Sequence, residues 1–236
     1  MTKRRQVQMA LDGMTSLVTA VAALAVLWNV AWPRTAPPTS QRQSRTPTVT
    51  VDGIETDLGG ASRIQNAAKL AIIEFSDFEC PYCGRYARET YPRIQTELVD
   101  KGIVTYSFRH FPLEAIHKAA LKAGEASVCA GDQGKFWEMH DRLFQNQQKL
   151  AETDLLVHAR AIGLDSARFL SCLDKRMLAT IRADQEEAKK FGVNSTPTFL
   201  FGIVGPTGKI KVVRKLSGAQ PFEIFESIVD EVLKGT

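Results

Sequence analysis

The sequence predicts an α/β domain with an inserted all-helical subdomain, preceded by one apolar N-terminal span. Three observations carry this. A short apolar run at 71–75 leads into a helical pattern and then an alternating run at 103–108, the order of a parallel crossover. A strand, strand, helix pattern closes the chain from Thr198 onward. Between these halves, residues 114–191 read as helix throughout.

Composition sets the outer bounds. The chain has 236 residues, 44% hydrophobic, 24% charged and 8% aromatic. Those fractions are globular and exclude disordered, collagen-like and coiled-coil classes. Net charge is +4, and Lys3, Arg4 and Arg5 against Asp12 account for half of it. With no basic stripe left over, nucleic acid is not an expected partner. Four cysteines are too few for a disulfide-built miniprotein but suffice for one redox pair and one bridge.

Taken in order, residues 1–13 read as a cytoplasmic N-terminus. Residues 14–32 (MTSLVTAVAALAVLWNVAW) carry no charge. At about 1.5 Å per residue they span roughly 28 Å, the thickness of a bilayer core. The preceding basic residues orient the span with the N-terminus inside, and Trp28 and Trp32 suit the far interface. A cleaved signal peptide competes, since Ala23-Leu24-Ala25 offers a cleavage match, but the cut would leave Val26, Leu27 and Trp28 behind it. A transmembrane signal-anchor is therefore the expectation. Residues 33–47 hold four prolines among Ser, Thr and Arg and read as a semi-extended stem. The domain 48–236 would then face an oxidising compartment, where disulfides persist.

Within that domain, Thr48–Val51 is a candidate edge strand and Ala71–Phe75 a buried strand interrupted by Glu74. Helix follows Cys83 through Asp100, with Ala87, Tyr91, Ile94 and Leu98 on one stripe and a kink expected at Pro92. Five insertion helices are expected at about 114–130, 135–147, 153–162, 165–174 and 176–191. Gly131, Gly163 and Gly192 sit where terminating glycines belong. Thr198–Val204, a turn at 205–208 and Lys209–Leu216 form a hairpin. A last amphipathic helix has Pro221 in its first turn.

The chemistry centres on Cys80-Pro81-Tyr82-Cys83, which opens a helix directly after a buried strand. At a helix N-terminus, free amide N–H groups and the dipole favour thiolate, so Cys80 is the attacking sulfur. Cys83, one turn on, faces inward and resolves the mixed disulfide. A zinc site would need a second close ligand pair, whereas Cys129, Cys172 and the four histidines are scattered. Glu74, six residues before Cys80, is a carboxyl among apolar strand residues. Burial would raise its pKa and let it exchange a proton with Cys83; a glutamate reaching solvent from the strand end is the alternative. Cys129 and Cys172 are either two buried thiols or a bridge, and the oxidising compartment and even count favour the bridge.

Residues 74–83 (EFSDFECPYC), 129–144 (CAGDQGKFWEMHDRLF) and 193–199 (VNSTPTF) together resemble the DsbA-like thiol–disulfide oxidoreductases of the thioredoxin superfamily. The likeness covers about residues 50–235. It implies a thioredoxin fold with a helical insertion and a cis-proline beside the active disulfide, here Pro197. It also implies that Thr196 offers backbone groups to an extended substrate, alongside Pro81 and Tyr82. The residue pair between the cysteines departs from the strongly oxidising members, which often carry Pro-His. Tyr82 can hydrogen-bond or pack but cannot lend a charge.

The expected function is a dithiol oxidase that introduces disulfides into exported proteins with free thiols. The family implies reoxidation by a quinone-linked membrane partner, with no organic cofactor or metal. The same residues run in reverse would make a reductase, or an isomerase. Only about twenty residues separate the stem from the active-site strand, too few for a dimerisation domain, so a monomer is expected. A copper-delivery protein holding Cu(I) through Cys80 and Cys83 is the non-enzymatic alternative. The expected location is the extracytoplasmic side of a bacterial inner membrane.

Overall fold

Every residue of strand β4 (Leu70–Ser76) is buried, and so is every residue of β5 (Val104–His110) beside it. The two run parallel, with Leu70 opposite Val104 and Glu74 opposite Phe108. Parallel strands are usually covered on both faces, which explains the nearly continuous apolar reading of 70–75. The computed structural model describes residues 48–235 apart from 52, 65–67 and 175–177. The predicted span at 14–32 and stem at 33–47 lie outside these residues. Among the described residues no helix is long and apolar enough to cross a membrane.

Around this pair the sheet is completed by β1 (Thr48–Thr50), β2 (Glu55–Thr56), β3 (Ala61–Arg63), β6 (Thr198–Val204) and β7 (Ile210–Ser217). The order is β1-β7-β6-β4-β5-β3, with β2 also on β7. All pairings other than β4 with β5 are antiparallel. The period of two assigns the faces. Leu70, Ile72, Tyr106, Phe199 and Phe201 pack against helix α1 (Pro81–Glu89) and the last helix, α7 (Phe222–Lys234). Ala71, Ile73, Phe75 and Leu200 face the other way, onto Ala188 of α6 (Leu178–Lys190). The remaining insertion helices are α2 (Ala120–Gly131), α3 (Phe136–Gln145), α4 (Glu152–Ala161) and α5 (Ser166–Asp174). Phe78 joins this layer to the sheet, with ring centroids 5.1 Å from Phe108 and 4.8 Å from Phe144.

Several boundaries depart from the sequence expectation. The helix expected to run to Asp100 breaks at Thr90, two residues before Pro92. A proline at 92 cannot donate to the carbonyl of Arg88, so the ladder stops early. The chain resumes in a helical turn at Tyr91–Arg93 and widens into a π-helical stretch at Ile94–Val99, with the Asp100 amide on the Gln95 carbonyl at 2.8 Å. The first insertion helix begins at Ala120, not near 114. Residues 113–119 are held as turns instead: Asp77 Oδ2 accepts the Leu113 amide at 2.8 Å, and Glu79 Oε2 accepts the Ala119 amide at 2.7 Å. Gly131 is the last residue of α2, and the left-handed conformation falls on Gly134 (φ 74°). Pro221 sits at the N-cap of α7, just before its first turn. Strands β2 and β3 are additions of two and three residues, too short to show a period.

Cys129 and Cys172 form a disulfide joining α2 to α5, with Cα atoms 5.7 Å apart. A cross-link over a sequence separation of 43 removes about 4 kcal/mol of chain entropy from the unfolded state. Replacing both cysteines by alanine should therefore lower the urea unfolding free energy by about that amount. Thiol exchange at Cys80 should survive the change. Equal unfolding curves for the two proteins would refute the stabilising role.

Candidate active site

Cys80 is the N-cap residue of α1, with extended backbone (φ −66°, ψ 122°). Pro81 follows at N1, where no donor is needed. The loop feeding it is fixed by a buried carboxylate. Asp77 Oδ1 accepts the Glu79 amide at 2.8 Å, its carbonyl accepts the Cys80 amide at 3.2 Å, and its Oδ2 also meets His117 Nδ1 at 2.8 Å. From the insertion, Gln147 Nε2 donates to the carbonyls of Phe78 (2.9 Å) and Cys80 (2.8 Å). That approach requires a glycine at 84, because a Cβ there would lie 1.9 Å from Gln147 Oε1. Two loops and one amide side chain therefore hold the start of α1.

Both cysteines are free thiols and both are buried, Cys80 at 3% exposure and Cys83 at 0%. Their titration is driven apart. The Cys83 thiol donates to the Cys80 sulfur, and the Thr196 group and the backbone amides of Cys83 and Tyr82 add to it. Together these pull Cys80 down to about 6, against the loss of solvent that would raise it. Burial pushes Cys83 well above the usual thiol range, and the Cys80 and Glu74 charges push the same way. One thiol is thus ready as a nucleophile near neutral pH and the other holds its proton.

Thr196 and Pro197 come from the far end of the insertion. The peptide bond between them is cis, and the Cys80 thiol lies 3.6 Å from the Thr196 carbonyl oxygen. The Pro197 carbonyl accepts the Gly218 amide at 2.8 Å, which ties the turn to the end of β7. Tyr82 stands out at 59% exposure, with the Arg85 guanidinium 5.4 Å from its ring centre. It contributes its backbone amide to Cys80, and its ring to the outer surface.

Below the cysteines, Glu74 is 1% exposed. Burial lifts its pKa to about 7, opposed by the Tyr106 hydroxyl, which donates to Oε2 at 2.6 Å. Its charge acts on Cys83, so the two groups share one low-dielectric environment. Glu74, Cys80, Cys83, Thr196 and Pro197 are thus brought together. Cys129 and Cys172 are joined to each other and not to the site. Asp77, Gly84, Gln147 and Tyr106 join the site without a motif of their own in the sequence. Of these, only Asp77 lies in the loop just before the motif, two residues from Glu79.

A family model described as Thioredoxin matches residues 60–204. Among solved structures, alpha-DsbA1 of Wolbachia pipientis is 26% identical, with a TM-score of 0.60 over 73% of this chain and 88% of that one. BdbD of Bacillus subtilis, in its oxidised form, is 23% identical with a TM-score of 0.63, over 78% of this chain and 98% of that one. Among curated sequences, Na(+)/H(+) antiporter NhaA 3 of Salinispora tropica is 42% identical over 133 residues. That stretch is 56% of this chain but 20% of the antiporter, so the chain spans about a fifth of the curated relatives it matches.

The Cys80 titration has a direct consequence. Alkylation of the reduced protein should follow the Cys80 thiolate, with a midpoint near pH 6. The rate should fall about tenfold per pH unit below that point and level off above it. A midpoint near the free-thiol value of about 8.5 would show that the Cys83 thiol and the backbone amides of Cys83 and Tyr82 do not act on Cys80.

Proposed function

The chain belongs to this thioredoxin family as a DsbA-like member, and on that premise we propose that it is a thiol–disulfide oxidoreductase that oxidises thiols in exported proteins. The observation that carries the reading is the placement of the Cys80 thiol at the N-terminus of α1, 3.6 Å from the Thr196 carbonyl, with Cys83 fully buried one turn on. Stabilising the Cys80 thiolate stabilises the reduced enzyme, and a stable reduced form makes the disulfide a better oxidant.

In the oxidising direction, a substrate thiolate attacks the Cys80 sulfur of the Cys80–Cys83 disulfide. A mixed disulfide forms through Cys80, and Cys83 leaves as a buried thiolate that takes a proton from Glu74. A second substrate thiolate then attacks the substrate sulfur of the mixed disulfide and releases the Cys80 thiolate. Two electrons pass from the substrate dithiol to the enzyme. Thr196 and Pro197, with Pro81 and Tyr82, form the edge against which an extended substrate docks. The protein works as a monomer, anchored through residues 14–32 with its catalytic domain on the extracytoplasmic side of a bacterial membrane. A quinone-linked membrane partner restores the disulfide.

Exposed Tyr82 favours a second reading, disulfide reduction by the same residues, because no charge from that position adds to the thiolate stabilisation. The equilibrium of the Cys80–Cys83 couple with glutathione separates them. A potential above about −200 mV supports the oxidase, and one below about −250 mV supports the reductase. For the roles of the two sulfurs, Cys83→Ser should accumulate mixed disulfides with thiol proteins, and Cys80→Ser none. Absence of adducts in Cys83→Ser would overturn the assignment.

A further inference from the structure

Glu74 presents its two oxygens differently. Oε2 accepts the Tyr106 hydroxyl at 2.6 Å, whereas Oε1 is buried with no partner at hydrogen-bond distance among the described residues, and the equally unpaired Ser76 hydroxyl acts on both Glu74 and Cys83. The Tyr106 hydroxyl in turn lies 3.0 Å from the Tyr86 hydroxyl. Since the Tyr106 proton points to the carboxyl, its oxygen accepts from Tyr86, and the two hydroxyls form a donor chain ending at Glu74. Tyr86 is three residues after Cys83 in α1, so both side chains lie on one face of that helix. Both are buried, and so is Tyr106.

We propose that Tyr106, held by Tyr86, is the positioning residue that fixes Glu74 by Oε2 and reserves Oε1 for the proton exchanged with Cys83. The inference rests on the reading that Glu74 exchanges that proton. A carboxyl with one oxygen committed to a donor keeps that bond whether it is ionised or protonated at the other oxygen. The proton can therefore move between Oε1 and the Cys83 sulfur without rearranging the network. Because the donors are neutral hydroxyls, protonating Glu74 strands no buried cation. The titratable groups facing Glu74 are Cys83 and Tyr86 from α1, Tyr91 from the turn that follows, and Tyr106 from β5. Tyr91 accepts from Arg63 Nε at 2.9 Å. Phe199 stands opposite Glu74 on β6, and Phe225 of α7 packs on the same face; neither titrates.

The sign follows from the donor. Losing it disfavours the carboxylate, so Glu74 keeps its proton to higher pH and is ionised, and able to take the Cys83 proton, only above that higher pH. The step to read is the attack of Cys83 on a Cys80–glutathione mixed disulfide. Reduced full-length protein is mixed with oxidised glutathione, and the adduct is quenched and quantified by mass spectrometry from pH 5 to 9. In Tyr106→Phe the inflection of adduct decay should move up by about one pH unit, with the Cys80 titration unchanged. Tyr86→Phe should move it in the same direction by less. Glu74→Gln should abolish the inflection, and adding Tyr106→Phe to it should shift nothing further. If Glu74→Gln keeps the wild-type inflection, the reading of Glu74 itself fails and the proposal with it. If Glu74→Gln removes the inflection but neither tyrosine variant moves it, the positioning role alone is refuted. A shift that persists in the Glu74→Gln background also refutes it. Tyr86→Phe, the more distant change, decides the question if Tyr106→Phe does not fold.

Discussion

The contact between the Cys80 thiol and the Thr196 carbonyl, 3.6 Å apart across 116 positions of sequence, is the constraint on which the remaining architecture depends. It can form only if β6 enters the sheet next to β4, antiparallel, so that the start of one strand lies beside the end of the other. Phe75 opposite Thr198 is that register. A slip by one residue would turn Glu74 to the α6 face and the apolar face residues away from α1. The long excursion through α2–α6 is therefore bounded at both ends by the same few ångströms. It also adds to the site, because Gln147 reaches back to the Phe78 and Cys80 carbonyls and Glu79 reaches out to the Ala119 amide.

What the sequence makes readable are features whose cause is local. The strand–helix junction at Cys80, the hairpin at 198–217 and the stripe Phe136, Met139, His140, Leu143 and Phe144 each carry their period or turn chemistry in adjacent residues. The failures share a different cause. Strands β2 and β3 exist because β7 and β5 offer them edges, not because two or three residues favour extension. Residues 113–119 carry a helical pattern but surrender their amides to Asp77 and Glu79, some forty positions away. In the same way, nothing near Gln147 in the sequence points to a carbonyl at Cys80. Gly84 looks like a weakness in a helix until Gln147 is placed against it. The pairing of Tyr86 and Tyr106 needs the β4–β5 register before it can be drawn.

Two buried acids in this fold show how the surroundings decide what a carboxyl is for. Burial raises both, Asp184 to about 6 and Glu74 to about 7. Asp184 faces the Arg109 guanidinium at 3.4 Å and accepts the His110 amide at 2.9 Å, with side-chain exposures of 7% for Arg109 and 5% for itself. Protonating it would take the counter-charge from a buried guanidinium, which would keep only its hydrogen bonds to the Leu58 and Asp57 carbonyls. Its proton affinity is therefore tied to the integrity of the junction between α6 and β5. Glu74 has neutral donors on one oxygen and a titrating thiol as its charged neighbour. Its two protonation states differ by the exchange with Cys83 and by little else in the packing. The same burial ties the charge of one carboxyl to an ion pair between two elements and leaves the other able to change state while the fold around it stays still.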